Sequence, residues 1–180
     1  MAPHRSDDAM NLTTASAEAE LARLYRRYVT MIRERSRRVL GDPGLAEDVT
    51  QEAFILLFDR LKVGQAPEVP VAFLYRAATT RALNLIRDRR RRTALLDREA
   101  PELVPEVANT TAARDARVDL GRVLAVVDEE LATIAVCYYV DGMDQDEIGE
   151  LLGLHRRTVS RRLDEFRERG RKVLTQGANP

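Results

Sequence analysis

Apolar residues along this chain recur at three- and four-residue intervals and almost never alternate, a pattern that predicts an all-α protein. Leu21, Leu24, Tyr25, Tyr28, Ile32, Val39 and Leu40 make one helical stripe that the Gly41-Asp-Pro-Gly44 break interrupts. A second helix is expected from near Leu45 to about Leu61, with Val49, Ala53, Leu57 and Leu61 facing inward. Lys62 to Pro70 holds Gly64, Pro67 and Pro70, which disfavour helix and imply a loop. Helix resumes at Val71 or Ala72 and runs to about Arg91. From Thr93 to Arg117 the periodicity fades among Pro101, Pro105, Asn109, Thr110, Thr111 and scattered acids, the character of a flexible linker. Further helices are expected over Val118 to Val127 and Glu129 to Tyr139, followed by a closely spaced helix pair. The expected organisation is a polar tail (1–17), a helical domain (18–92), a linker (93–117) and a second small helical domain (118–175).

The helix pair, residues 144–163, is the most specific local signal. Asp144 precedes Gln145, Asp146 and Glu147, the arrangement of a capping box, so a helix should begin there. Ile148, Leu151 and Leu152 form an apolar face, and Gly153 can end the helix in the left-handed conformation without a Cβ penalty. Val159, Leu163 and Phe166 continue the buried side of a second helix. That leaves His155, Arg156, Arg157, Thr158, Ser160 and Arg161 around its start. In a helix-turn-helix those positions meet base edges and phosphates in the major groove, and arginine forks suit both. The plainer reading is a solvated basic helix in an ordinary bundle; it requires the cap, the glycine turn and the arginine placement to coincide.

Charge sharpens this picture only when read locally. The 29 Lys and Arg residues balance 29 Asp and Glu residues, yet they are segregated. Arg81, Arg87, Arg89, Arg90 and Arg91 face only Asp88 within Arg76 to Arg92, and Arg156 to Lys172 is basic again, while 97–106 and 141–150 are acidic. Such blocks suit phosphate backbones on one side and a protein partner, or a cover for a basic face, on the other. Cys137 is the only cysteine and lies in an apolar run, so it is expected to be a buried small hydrophobe. No apolar run suits a signal peptide or a bilayer span, and the expected location is cytoplasmic, without membrane insertion. His4 and His155 are the only histidines. With no acidic metal cluster, no nucleophile beside a base and no phosphate-cradling glycine loop, neither catalytic residues nor metal or other cofactors are expected.

A second constellation lies in the first domain. Asp48, Gln51 and Glu52 fall on one helical stripe that Ile55 extends, a face on which charge orients a partner and an apolar residue dehydrates at the centre. Taken alone it is also ordinary solvated helix surface.

Asp48-Val-Thr-Gln-Glu-Ala-Phe54 closely resembles the DxxQExF signature of bacterial sigma factors of the sigma-70 family, in the compact extracytoplasmic-function group. Phe73 to Arg92 resembles that family's promoter-reading helix, and Tyr139 to Val159 is similar to its second domain. The likeness spans about Leu21 to Val173. It implies a sigma factor that binds core RNA polymerase, at the β′ clamp helices through Asp48, Gln51, Glu52 and Ile55 and at the β flap, and that directs promoter recognition and melting. The loop 62–70 and Arg76, Thr79, Thr80, Asn84 and Arg87 would hold the opened −10 element. The helix-turn-helix would read the −35 element as duplex. An anti-sigma factor is a further partner the family suggests and the charge segregation permits. The linker acids Asp97, Glu99, Glu102 and Glu106 would either mimic nucleic acid inside the polymerase or form a solvated tether. Phe73 stands where the family often has tryptophan, Thr79-Thr80 where Arg-Asn is common, Asn84 where aspartate is frequent and His155 where a serine cap is usual. The competing readings are a conventional helix-turn-helix regulator that never joins polymerase, which leaves the Asp48 to Arg92 pattern unexplained, and a nucleic-acid enzyme, which has no site residues to point to.

Overall fold

The computed structural model describes residues 5–96 and 111–176. These residues form seven α-helices and no strand: α1 (Arg5–Leu40), α2 (Pro43–Lys62), α3 (Pro70–Leu96), α4 (Thr111–Leu124), α5 (Glu129–Tyr139), α6 (Gln145–Leu152) and α7 (Arg156–Gln176). The all-α reading and most of the breaks follow the sequence pattern. Helix extends further than the pattern indicated at three places. α1 starts at Arg5, within the stretch read as a polar tail, because Ala9, Ala15, Ala17 and Ala19 favour helix and neither Gly nor Pro interrupts them. α3 runs to Leu96 and α4 begins at Thr111, inside the span assigned to the linker; the rest of that linker, 97–110, and residues 1–4 lie outside the described residues.

Each break has a local cause. Gly41 takes φ 73° after α1, and the Asp42 carboxylate accepts from the Leu45 amide at 3.0 Å with Pro43 as the first helical residue. Asp128 caps α5 through the Leu131 amide at 2.8 Å. The sequence-read capping box of α6 is present in full. Asp144 accepts from the Asp146 and Glu147 amides at 2.9 and 2.8 Å, while Glu147 accepts from the Asp144 amide at 2.7 Å.

α1 to α3 pack around Ile32, Val49, Leu57 and Leu74, and α4 to α7 around Leu124, Leu131, Val136 and Phe166. The two units do not keep separate cores. Ile134, Cys137, Ile148 and Leu152 of the second unit join the α1–α3 cluster, and Leu83 of α3 is buried among Val123, Leu124, Val127 and Val136. Burying one leucine contributes about 1.5–3 kcal/mol, against about 0.5–1.5 kcal/mol for a typical hydrogen bond. Apolar packing across α3 and α5 therefore supplies most of the attraction between the units. The polar contacts described next fix how they are aligned.

Candidate functional site

The helix-turn-helix presents its start to solvent. Gly153 sits at φ 69°, ending α6, and the chain doubles back so closely that a Cβ on Gly149 would lie 2.6 Å from the Leu154 carbonyl oxygen. The His155 carbonyl then accepts from the Thr158 and Val159 amides, and α7 proceeds with Val159 and Leu163 fully buried. This orientation leaves His155, Arg156, Arg157 and Arg161 exposed and Thr158 and Ser160 half-buried. Arg156 lies 3.6 Å from Asp146, both well exposed. Arg157 and Arg161 have no polar partner among the described residues. The six residues expected to meet duplex DNA thus surround one helix start, and two of its guanidinium groups are uncommitted.

The acidic stripe on α2 is likewise accessible. Asp48 and Gln51 are exposed, Glu52 is half-buried and Ile55 is 58 % exposed, beside Leu56 at 50 %. Val49, Ala53, Leu57 and Leu61 turn inward as the periodicity required. Gln51 donates to Glu47 at 3.3 Å, and Glu52 pairs with Arg81 of α3 at 2.5 Å, both carboxylate and guanidinium being about two-fifths exposed. A surface pair of this kind is worth about 0–1 kcal/mol and is readily exchanged.

The α3 face is arranged differently. Of the five residues assigned to the opened strand, Asn84 alone is exposed with no polar partner among the described residues. The Arg76 guanidinium, though still exposed, donates to the Leu152 carbonyl at 2.7 Å. Thr80 donates to Glu129 at 3.1 Å, and Arg87 donates to the Ala125 and Val127 carbonyls at 3.2 and 2.7 Å. Thr79 is turned away, 4 % exposed, its hydroxyl donating to the Tyr75 carbonyl and accepting from Arg35 at 2.9 Å. In this arrangement it braces the interior. A broad concavity of about 1130 Å³ runs beside these residues, between the end of α2, the 62–70 loop, α3 and α6.

Arg35 was not anticipated and is the most buried charge among the described residues. Only 2 % exposed, its guanidinium is hydrogen-bonded to Asp141, itself 7 % exposed in side chain, to Thr79 Oγ1 and, at 3.7 Å, to the Cys137 sulfur. It also lies 4.1 Å from the centre of the Tyr75 ring. Burial lowers its pKa from the usual guanidinium value, and the same burial raises that of the Tyr75 phenol. Arg38, one turn on, approaches the other Asp141 oxygen at 3.4 Å and donates to the Val140 carbonyl at 2.8 Å. The signal was present in the sequence: Arg35 follows Ile32 by three positions and precedes Val39 by four, so it falls on the apolar stripe of α1. Cys137, expected to be buried, is fully so.

No helix among the described residues is long and apolar enough to cross a membrane. Comparison with known proteins adds what geometry cannot. Residues 24–92 match the family model for sigma-70 region 2. The chain is 29 % identical over 157 residues to the ECF RNA polymerase sigma factor SigE of Mycolicibacterium smegmatis, a match covering 85 % of this chain and 61 % of SigE. It is 52 % identical over 48 residues to the transcriptional regulator LsrR of Enterobacter and of Klebsiella pneumoniae, but that match covers 26 % of this chain and 15 % of LsrR. The chain therefore spans less than two thirds of the length of these relatives. With the ECF RNA polymerase sigma factor SigW of Bacillus subtilis the likeness covers more than two thirds of both chains, 31 % identity over 150 residues, 76 % of this chain and 79 % of SigW. On that match, and on the region 2 match across α1 to α3, the chain belongs to the ECF group of sigma-70 family RNA polymerase sigma factors.

Proposed function

We propose that this chain is a promoter-specificity subunit that joins core RNA polymerase, recognises promoter DNA in two pieces and directs transcription initiation, without catalysing a reaction itself. The unit from 18 to 92 docks on the β′ clamp helices through Asp48, Gln51, Glu52 and Ile55. Its α3 face, with Arg76, Thr80, Asn84 and Arg87, holds the opened −10 strand beside the 62–70 loop, and Thr79 positions that helix from behind. The unit from 118 to 175 reads the −35 duplex through His155, Arg156, Arg157, Thr158, Ser160 and Arg161 and lies against the β flap. Unstacking bases costs a few kcal/mol, more than so small a chain recovers alone from a few stacking and phosphate contacts, so melting DNA while anchored to a large partner is physically sensible.

The observation that carries this reading is the coexistence, in one chain, of an exposed acidic and apolar stripe on α2 and an exposed arginine-bearing helix start on α7. A conventional helix-turn-helix regulator accounts for the second and leaves the first, together with the region 2 match over residues 24–92, without a purpose. The same exposed surfaces are where an anti-sigma factor would compete. The test is association of the purified chain with core polymerase, compared with the Asp48→Lys, Glu52→Lys double variant. The variant should lose association and keep duplex binding; equal association would remove the α2 stripe from the docking face.

A further inference from the structure

Arg81 stands on α3 one turn before Asn84, its neighbour on the helix surface, and lines the same broad concavity. Its guanidinium is engaged on one side only. Nε lies 2.5 Å from Glu52 Oε2, and Arg81 has no other polar partner among the described residues. A guanidinium carries five N–H donors in a planar fork. With Nε facing the carboxylate, the two amino groups at the end of the fork make no hydrogen bond, and that end can meet a phosphate with two parallel bonds. From this geometry we infer that Arg81 is a phosphate-binding residue for the opened promoter strand, and that Glu52 holds it in aim. This rests on the −10 role proposed above for α3.

The other cations of the concavity have partners of their own. Arg76 donates to the Leu152 carbonyl at 2.7 Å, and the Arg60 guanidinium lies 5.3 Å from the centre of the Phe73 ring. Asn84 is exposed but uncharged. Glu68 on the 62–70 loop and Glu150 on α6 are exposed on the other walls, where they repel a phosphate. The backbone of a strand entering the concavity is therefore confined to the α3 side, with charge from Arg81 and an amide from Asn84. Orientation matters because an unheld arginine gives up much rotamer freedom when it binds, and a fork already fixed at Nε gives up less. An ion pair with both groups about two-fifths exposed biases the side chain without locking it. Glu52 also belongs to the docking stripe, so a single ion pair joins the polymerase face of α2 to the strand face of α3.

The test is titration of the full chain onto a fluorescein-labelled single-stranded oligonucleotide of mixed sequence, read by anisotropy over a range of salt. Every chain carries Arg157→Ala and Arg161→Ala to silence α7. Arg81→Ala should weaken binding about tenfold at low salt and reduce the slope of log affinity against log salt by about 0.7. Arg81→Lys keeps the charge and loses the fork, so it should keep the slope and still weaken binding about threefold. Glu52→Ala removes a negative charge, which by itself favours a polyanion. Acting through Arg81, it should instead weaken binding about threefold, and do so no longer once Arg81→Ala is present. Arg33→Ala is the control: Arg33 pairs with Glu47 at 3.4 Å, at similar exposure, and does not line the concavity, so affinity and slope should stay near those of the parent. An Arg81→Ala chain that matches Arg33→Ala overturns the assignment, as does a Glu52→Ala chain that binds more tightly or a parent with no measurable strand binding at low salt. Association with core polymerase is followed in parallel by gel filtration. A chain that binds the strand through Arg81 but never co-migrates with polymerase defeats the proposed function alone. A chain that co-migrates and opens promoters equally well with and without Arg81→Ala defeats this inference alone.

Discussion

α3 and the start of α7 carry the same chemistry and hold it in opposite states. Both present arginines and small hydroxyl residues along a helix, and both are assigned to DNA. On α7, Arg157 and Arg161 stand in solvent without partners among the described residues. On α3, Arg76 and Arg87 are bonded to the ends of α6 and α4, and Thr80 to Glu129. A basic helix read from sequence is thus a capacity to bind oxygen acceptors; whether those acceptors belong to DNA or to the chain itself is decided by tertiary packing.

The largest expected effect breaks the closed side of the comparison. Asp141→Ala leaves Arg35 buried without its anion, and removal of one partner from such a pair costs about 3–5 kcal/mol. The thermal midpoint should fall well below that of the parent chain, or the units should separate with Cys137 becoming reactive. A parent-like midpoint together with a protected thiol would show that the pair does not hold the units together. Next in size is the α2 stripe, which lies on neither of these two helices. Reversing Asp48 and Glu52 should weaken polymerase association by about 2 kcal/mol or more if they form a central contact, measured by fluorescence titration, while duplex affinity is preserved. Gly149→Ala addresses the scaffold of the open side. Its Cβ would press on the Leu154 carbonyl, a backbone atom that cannot swing aside, and overpacking of this kind costs about 1–3 kcal/mol. Chemical denaturation should register the loss, and duplex affinity should fall with it because α7 is displaced. Arg157→Ala and Arg161→Ala act at the surface of that helix. Each should cost about 1–3 kcal/mol of −35 duplex binding if it reads a base edge, with thermal stability unmoved; a footprint identical to the parent's would return that arginine to the solvated face.

Much of this arrangement is legible in the sequence, for identifiable reasons. The capping box at Asp144, the turn at Gly153 and the inward set Val49, Ala53, Leu57 and Leu61 are local: each depends on spacing and residue type within two helical turns. The exposed positions of α2 and α7 follow from the same periodicity. Helix ends were less legible, since the alanines before residue 20 and those between 111 and 117 favour helix without supplying an apolar stripe to mark it. What could not be read was the partnership between distant segments. Arg35 meets Asp141 across 106 positions, and Arg76 meets Leu152 across 76. No local rule says which carbonyl a surface arginine will find. The placement of Arg35 on an apolar stripe announces a buried charge but not its counterion. Thr79 and Thr80 show the limit most clearly: adjacent in sequence and assigned together, they differ by one step around α3, which is enough to bury one hydroxyl against Arg35 and leave the other at the edge facing Glu129.

The measurement that bears most directly on the whole account is permanganate footprinting of promoter DNA with core polymerase and the purified chain, separately and together, after association has been confirmed by gel filtration. The account predicts thymines that become reactive around the −10 element only when both proteins are present, and lose reactivity when the Asp48→Lys, Glu52→Lys variant replaces the parent. A chain that binds duplex DNA specifically but neither co-migrates with polymerase nor opens any promoter would contradict it.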